Sequence, residues 1–467
     1  MSRELSIVGA GLAGSLLARL LAQRGWKVDL YERRADPRGG PIIGGRSINL
    51  ALSERGWNAL RMAGVDQAVS EQAIAMRGRA VHSLRGEIDL QAYGMSDAHV
   101  IHSVHRANLN RLLVSAAADA GANVHFEHSL RAVDWDGCAL SMDAPQGAIS
   151  VPFQGVIGAD GAGSPLRTAM VRKYQLAEQV SWEDHGYKEL SIRPQTDPQT
   201  GAESFKLDPH ALHIWPRGQF MLIALPNADR SFTVTLFLPL KGERSFEHLR
   251  DPVSVRAFFN EEFPSAVPLL EDLDQEFAEN AVGPLATLRL KPWHHAGKAL
   301  LIGDAAHAVV PFHGQGMNCA FEDCAELADI LCDECDLEQA FETFYQRRKA
   351  NADAIATMAV ENYYEMRDHV ARADYQWAKK IEHALAERFP THFLSRYAQV
   401  SFTQLPYAEA QARGSIQAAI IAELAGATEL SQIDWDQARQ LVEQRLEPLP
   451  AHAQLVSTPA ANLQESA

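Results

Sequence analysis

Cysteine is scarce in this chain, five residues in 467 and an odd number. With no recognisable leader, that usage suits a reducing compartment, the cytoplasm, rather than a disulfide scaffold. Two of the five, Cys332 and Cys335, form a C-x-x-C. No second pair completes a zinc site and the residues between them are acidic, so neither metal nor redox work is expected of them. No apolar run approaches the ~18 residues of a membrane span. Ser6 to Ala22 is largely apolar, but glycines interrupt it and no basic segment or cleavage site accompanies it, which argues against a signal peptide. Positive charge is in deficit, with 43 Lys and Arg against 59 Asp and Glu and a net charge of −16. A general polyanion surface is thereby excluded, and with it nucleic acid as a partner; a local basic funnel for an anionic cofactor is not. There is no internal repeat and no second G-x-G-x-x-G. The remainder, 46% hydrophobic and 22% charged, is an ordinary globular composition with length for two cores or one large one.

What is present starts at Ser6-Ile-Val-Gly-Ala-Gly-Leu-Ala-Gly14. The run predicts an apolar strand, a glycine turn and a helix to about Arg24. Gly9 permits the tight turn, Gly11 lets a pyrophosphate approach the backbone, and Gly14 lets helix pack on strand. The helix start offers free N–H groups to the phosphates. Lys27 to Tyr31 reads as a second strand closed by Glu32, a carboxylate placed where a ribose hydroxyl would sit. Strand, helix, strand and terminal acid in that order make a dinucleotide site.

Further along, Gly39 to Gly45 is a loop, and Ser53 is placed to cap a helix over Glu54 to Ala63. Another helix is expected over Ala107 to Ala120. Gln154 to Ser164 is an apolar strand running into a glycine-rich turn that carries Asp160. His213 to Pro216, Phe220 to Leu225 and Ser231 to Leu238 read as strands of a largely antiparallel sheet, the last with the alternation of a half-buried strand. Such a sheet can cover a pocket on one face and meet water on the other. Ala299 to Gly303 is a buried strand leading to Asp304. A helix from near Gln315 carries an apolar stripe at Met317, Ala320, Phe321, Cys324, Ala328 and Leu331. Leu337 to about Phe389 reads as helical, stopped by Pro390. An amphipathic stretch, Ile433 to Leu446, precedes a Pro- and Ala-rich end expected to fray. The resulting class is α/β: a Rossmann-like dinucleotide-binding domain in two parts, 1–180 and 291–335. An antiparallel-sheet substrate domain is inserted at 181–290, and a C-terminal helical region covers 336–467.

The cofactor assignment comes from three separated segments. Gly9–Gly14, Gly158–Gly163 and Gly303–Asp304, in that order, resemble the nucleotide-contact motifs of the flavin-dependent aromatic hydroxylase family, which points to FAD. Gly45-Arg-Ser-Ile-Asn-Leu-Ala-Leu-Ser53, Leu212-His-Ile-Trp-Pro216, Gly303-Asp-Ala-Ala-His-Ala308, Pro311-Phe-His-Gly-Gln-Gly-Met-Asn318 and Asn362-Tyr-Tyr-Glu-Met-Arg367 are similar to its kynurenine-hydroxylating members, from residue 5 to about residue 405. Ala408–Ala467 stands where eukaryotic members carry an apolar anchor, so the resemblance is to the soluble, bacterial-type form. It implies hydroxylation of L-kynurenine at ring carbon 3 with NADPH and O2 as cosubstrates, through a flavin C4a-hydroperoxide, with NADPH docking transiently. The alternatives are a hydroxylase of the same class for another aromatic acid, a non-catalytic FAD-binding protein, and an FAD-dependent dehydrogenase or oxidase. Oligomeric state stays open, a homodimer included.

The same resemblance places FAD contacts on Ala13, Glu32, Arg34, Ala51, Arg106, Leu130, Asp304, Met317 and Asn318. Physical chemistry agrees for most of them. Asp304 at a strand end can accept from ribitol or ribose hydroxyls. The backbone of Met317 and Asn318, at a helix start, can donate to the flavin pyrimidine edge, which turns negative on reduction. Ala51 and Leu130 offer only backbone or packing. For the substrate, the resemblance places the carboxylate on Arg79, with Arg77 and Arg85 as rivals, and further donors on Tyr93, Asn362 and Tyr397. Phe312 and Met366 would wall the ring. His307 and His313 are read as positioning residues, no enzymic acid or base is assigned, and no metal is expected.

Overall fold

The computed structural model describes residues 3–39, 49–94, 99–334, 336–366, 372–450 and 453. Part of the expected Gly39–Gly45 loop, Cys335, Arg367 and most of the tail expected to fray lie outside the described residues. The first strand, Glu4–Val8, is apolar and buried because parallel neighbours flank it on both sides, Lys27–Tyr31 and Val156–Gly158. They belong to a six-stranded sheet in the order His294–His295, Ala299–Leu301, Val156–Gly158, Glu4–Val8, Lys27–Tyr31, Asn123–His125. Only the His294–His295 edge runs antiparallel. Four adjacent parallel strands therefore end on one edge of the sheet. Their continuations are Gly303-Asp304, Ala159-Asp160, the Gly9 turn and Glu32. Ligands of open α/β sheets bind at such carboxyl ends.

Two glycines make the first turn work. Gly9 has φ +102°, open to glycine, and its missing Cβ would lie against the Ala159 carbonyl and Asp160 Cα. A Cβ on Gly14 would overlap the Gly9 carbonyl oxygen and reach Ala159 Cβ at 3.2 Å. The helix Leu12–Gln23, built of Leu and Ala, packs that closely and buries Leu16, Leu17, Leu20 and Leu21 completely.

A seven-stranded sheet holds the order Gly283–Lys291, Ala177–Ile192, Phe232–Pro239, Met221–Pro226, Ala211–Pro216, Gly78–His82, Ile88–Ala92. It is antiparallel except where Leu212 pairs in parallel with Arg79. The three strands expected between 213 and 238 are thus present and adjacent, and two strands from 78–92 extend them. The half-buried reading of Ser231 to Leu238 is corrected: Phe232 to Leu238 is buried throughout. On one face Phe232, Val234, Leu236 and Leu238 pack against Phe258, Phe259 and Phe277 of the sheet's own helices. On the other, Phe237 meets Phe312 and Tyr363. Neither face is left for water.

Leu337 to Phe389 is two helices, Leu337–Tyr364 and Ala373–Arg388. Separation lets the second build its own core, where Ile381, Leu385 and Phe393 meet Ile420 and Val442. The expected helix near Glu54 runs Glu54–Met62 with Ser53 at its N-cap position, but the Ser53 hydroxyl does not cap it. It turns instead to Gln315 Oε1 at 3.4 Å. Among the described residues no helix is long and apolar enough to cross a membrane.

Gly14→Ala is expected to destabilise the chain by about 3 kcal/mol, because the new methyl has only rigid backbone to displace. The urea-unfolding midpoint of the cofactor-free protein reads this directly.

Candidate active site

The glycine turn is held from three directions. Glu32, 6% exposed, accepts from Ala10 N at 3.0 Å and, through its other oxygen, from Arg34 N at 3.0 Å and Arg34 Nε at 2.9 Å. Asn110 donates to the Ala10 carbonyl at 2.9 Å, and Cys324 Sγ lies 3.2 Å from the Ala13 carbonyl. Arg106 stands one helical turn before Asn110 on Arg106–Asp119, on the same helix face. Leu130 follows a segment strapped to the acid's strand, His128 N donating to Glu32 O at 2.8 Å. Gly11 differs from its neighbours: a Cβ there meets nothing within 4 Å. The turn is thus rigid behind and open in front, which is what a pyrophosphate needs.

Asp160 accepts from Leu166 N at 3.1 Å at the start of the helix Pro165–Tyr174. Its Oδ1 is buried with no partner among the described residues, and burial pushes the carboxyl pKa up. Arg167 staples this segment to the next, donating to Ala162 O at 2.5 Å and Ala305 O at 3.1 Å. Gly303 comes within 3.7 Å of Ala13 Cβ, judged from where its own Cβ would stand. The three motifs are therefore in contact, and Asp304 is exposed at their junction.

Behind Asp304 lies a buried ion cluster. Asp323 Oδ2 accepts from Gly303 N at 2.9 Å and His307 Nε2 at 2.6 Å, and its Oδ1 from Arg348 Nε at 2.7 Å. Burial opposes the charge, but His307 and Arg348 outweigh it and bring the Asp323 pKa to about 2. His307, Cys319 and Asp323 have the makings of metal ligands, yet the Arg348 guanidinium, 3.4 Å from Cys319 Sγ, already supplies the positive charge. His307 is thereby a structural partner of Asp323.

The helix Gly316–Asp333 begins beside these turns, and its first N–H to bond back along the chain is Cys319. Those of Gly316, Met317 and Asn318 precede it and can meet an anionic ligand edge. The Asn318 side chain is occupied: Nδ2 donates to Ala51 O at 2.8 Å and Gly314 O at 3.0 Å, and Oδ1 accepts from Ser53 N at 3.0 Å. Only its backbone is available to a ligand. These residues fit FAD: an open phosphate turn, a buried carboxylate oxygen with no partner among the described residues, and a helix start with uncommitted N–H groups.

The expected substrate residues gather next to this helix start. Arg79 lies on Gly78–His82, Tyr93 just beyond Ile88–Ala92, and Tyr397 on the helix Arg396–Phe402. The Tyr93 and Tyr397 rings stack with centroids 5.6 Å apart, and the Arg79 guanidinium lies 5.8 and 4.8 Å from those centroids. Arg79 Nε is buried without a hydrogen-bond partner, and no described carboxylate forms an ion pair with Arg79. Its rivals Arg77 and Arg85 are exposed. His313 stacks on Tyr397 at 5.5 Å, its Nδ1 buried and without a partner among the described residues, and burial lowers its pKa to about 4, so the ring is neutral at pH 7. Phe312 stacks on Tyr363 at 4.1 Å, and Asn362 Nδ2 donates to the Phe312 carbonyl at 2.7 Å and lies 3.3 Å from Met366 Sδ. Tyr93 and Tyr397 belong to one apolar cluster, Phe312 and Met366 to another, and Ile223 packs against both. A Cβ on Gly314, after His313, would come within 3.1 Å of Ala51 Cβ, so the candidate substrate residues lie close to the candidate cofactor residues.

Sequence reading missed Asn110, Gln315, Asp323 and Arg348. Asn110 and Asp323 carried faint signals, a polar residue one turn from Arg106 and an acid on an otherwise apolar stripe. Gln315 and Arg348 carried none, since their partners are distant in sequence.

A two-layer sheet framework with this cradle defines an FAD-binding aromatic hydroxylase. A family model described as FAD binding domain matches residues 3–362. The chain belongs to the kynurenine 3-monooxygenase family. It is 51% identical over 437 residues to the kynurenine 3-monooxygenase of Stenotrophomonas maltophilia (strain K279a), 93% of this chain and 95% of that protein. The kynurenine 3-monooxygenase of Xanthomonas axonopodis pv. citri (strain 306) is 51% identical over 450 residues, 96% of this chain and 98% of the relative. Among solved structures, 2-methyl-3-hydroxypyridine-5-carboxylic acid oxygenase in its tetrameric form superposes with TM-score 0.64 at 20% identity, covering 79% of this chain and 94% of that one. P. aeruginosa PqsL in complex with 2-aminobenzoylacetate superposes with TM-score 0.63 at 21% identity, covering 78% and 96%. At those identities the structures share the fold.

Gly11→Ser keeps a good N-cap and fills only open space. It is expected to leave cofactor-free stability within about 0.5 kcal/mol while weakening FAD binding at least tenfold, read by fluorescence titration. Asp323 makes an acid prediction. Its folded pKa lies below the ordinary carboxyl value of 3.8, so its stabilisation is complete above about pH 4 and is lost as pH falls toward 2, on the order of 2 kcal/mol. Urea midpoints between pH 5 and 2.5 should fall more steeply for the native chain than for Asp323→Asn.

Proposed function

We propose that this chain is an FAD-dependent monooxygenase that converts L-kynurenine to 3-hydroxy-L-kynurenine with NADPH and O2. The observation that carries the substrate reading is the Arg79 guanidinium, drawn inside the protein beside two stacked phenols and left without a carboxylate. Arg79 as a residue keeps some exposure, but its Nε is buried; a guanidinium drawn that far from water without an ion-pair partner is costly, and an amino-acid carboxylate would supply one. Bound FAD supplies the redox and oxygen chemistry. The protein's part is placement. Arg79 takes the substrate carboxylate, with Tyr93 and Tyr397 donating from its two sides. Asn362 spends its Nδ2 on Phe312 and offers Oδ1 to the ammonium. Phe312, fixed between Tyr363 and Phe237, and Met366 wall the aminophenyl ring and keep water from it. No side chain needs to act as a base toward the ring, whose own amine makes carbon 3 electron-rich. Neutral His313 holds a proton at a fixed nitrogen within the pocket and serves to position its neighbours.

NADPH meets no dedicated dinucleotide fold here and docks transiently. The free thiols Cys138, Cys319, Cys324 and Cys332 accord with a cytoplasmic setting.

NADPH consumption with and without L-kynurenine, followed by mass spectrometry for one added oxygen, tests the activity; no kynurenine-dependent product would overturn it. Arg79→Ala should raise KM for L-kynurenine at least about thirtyfold, about 2 kcal/mol, with FAD still bound. An unchanged KM would remove the substrate assignment.

A further inference from the structure

We propose that Arg55 is a positioning residue for the substrate, setting from the flavin side of the molecule the helix that carries Tyr397. The proposal deepens the reading of Tyr397 as a substrate contact and rests on it.

Arg55 has a side chain 1% exposed, on the first turn of Glu54–Met62. Every direction of its guanidinium is used over a long sequence distance. Nε donates to Val400 O at 2.7 Å, and Nη2 donates to Leu405 O and reaches Gln399 O at 3.4 Å. Nη1 donates to Glu322 Oε1 at 2.7 Å, and the group lies 3.9 Å from the Tyr407 ring centroid. Gln399 and Val400 are in the last turn of Arg396–Phe402, where no later helical N–H exists to take their carbonyls. Arg55 thus caps that helix end together with the Thr403 hydroxyl, which donates to Gln399 O at 2.6 Å, and a cation suits the position.

The other side of Arg55 leads to the cofactor. Glu322 lies one turn beyond Asn318 on the same helix face, and Asn318 grips Ala51 and Ser53, the residues just before Arg55. One helix, whose first N–H groups face the flavin site, therefore fixes both the backbone before Arg55 and its charged head.

Arg396–Phe402 has seven residues, too few to hold an orientation unaided. Its start is tied by Ser395 Oγ, which accepts from Ala398 N at 3.2 Å, and by Arg396 to Glu361 at 2.7 Å. Its end is tied by Arg55. Tyr397 lies between these ties, with its ring against Arg79 and His313. A shift of about 1 Å in such a group is enough to spoil a binding constellation.

The test is a double-mutant cycle on the FAD-loaded protein, with the dissociation constant of L-kynurenine measured by calorimetry without NADPH. Arg55→Lys, which cannot span the same carbonyls, and Tyr397→Phe should each weaken binding at least fivefold. In the Tyr397→Phe background, Arg55→Lys should add less than twofold, and FAD affinity should stay within twofold throughout. Arg55→Lys with unchanged kynurenine affinity, two effects that simply multiply, or an equal loss of FAD affinity would each overturn the proposal. Tyr397→Phe without effect would instead overturn the substrate reading beneath it. Should Arg55→Lys not fold, Glu322→Gln, which keeps the shape but drops the charge held by Arg55, enters the same cycle under the same criteria.

Discussion

The junction of the molecule depends on one carboxylate removed from water. Asp323 has no exposed surface and accepts from Gly303 N, His307 and Arg348 together. Burying that charge costs several kcal/mol, and only converging donors offset it. The result is geometrical. The Asp304 turn cannot move relative to the helix Gly316–Asp333 without breaking a charge-assisted hydrogen bond. Arg348 extends the tie to Leu337–Tyr364, whose far end, about four turns on, carries Asn362. The Gly303-Asp304 turn, the start of Gly316–Asp333 and the helix that carries Asn362 thus share one anchor.

Around that anchor the chain treats its charges in two ways. Asp323, Arg348, Glu322 and Arg55 neutralise one another inside the protein. Arg79 is left without such a partner, although Tyr93 and Tyr397 shield it from water. The first set holds shape, and Arg79 is no part of it. The aromatic content follows the same division. Phe258, Phe259 and Phe277 fill the far face of the seven-stranded sheet, and Phe237 packs with Phe312 on the near face. Phe232 to Leu238 is buried on both sides.

Much of the framework was legible in the residues. The glycine turn, the acid at Glu32, the two later nucleotide motifs and the apolar stripe from Met317 to Leu331 are local patterns, and the structure has each of them. Where local reading erred, a distant partner was responsible. Ser53 has the right residue type for a cap, but its hydroxyl turns to Gln315. The alternation over Ser231 to Leu238 suggested one wet face, yet helices inserted later in the chain cover it. Leu337 to Phe389 has continuous helical character, but the packing of Ile381 and Leu385 against Ile420 sets the second helix apart.

Composition, glycine placement and the order of strand and helix signals were enough to specify a dinucleotide-binding α/β chain and the identity of the residues at its turns. Such features act over a few residues, through backbone freedom and side-chain period, so the linear text contains them. Which carboxylate neutralises which guanidinium was settled only by folding. Arg55 meets Val400, Gly303 meets Asp323 and Arg79 meets Tyr397 because separate elements pack against common apolar clusters. Contacts between residues remote in sequence depend on the shape of the whole, and no local pattern encodes them.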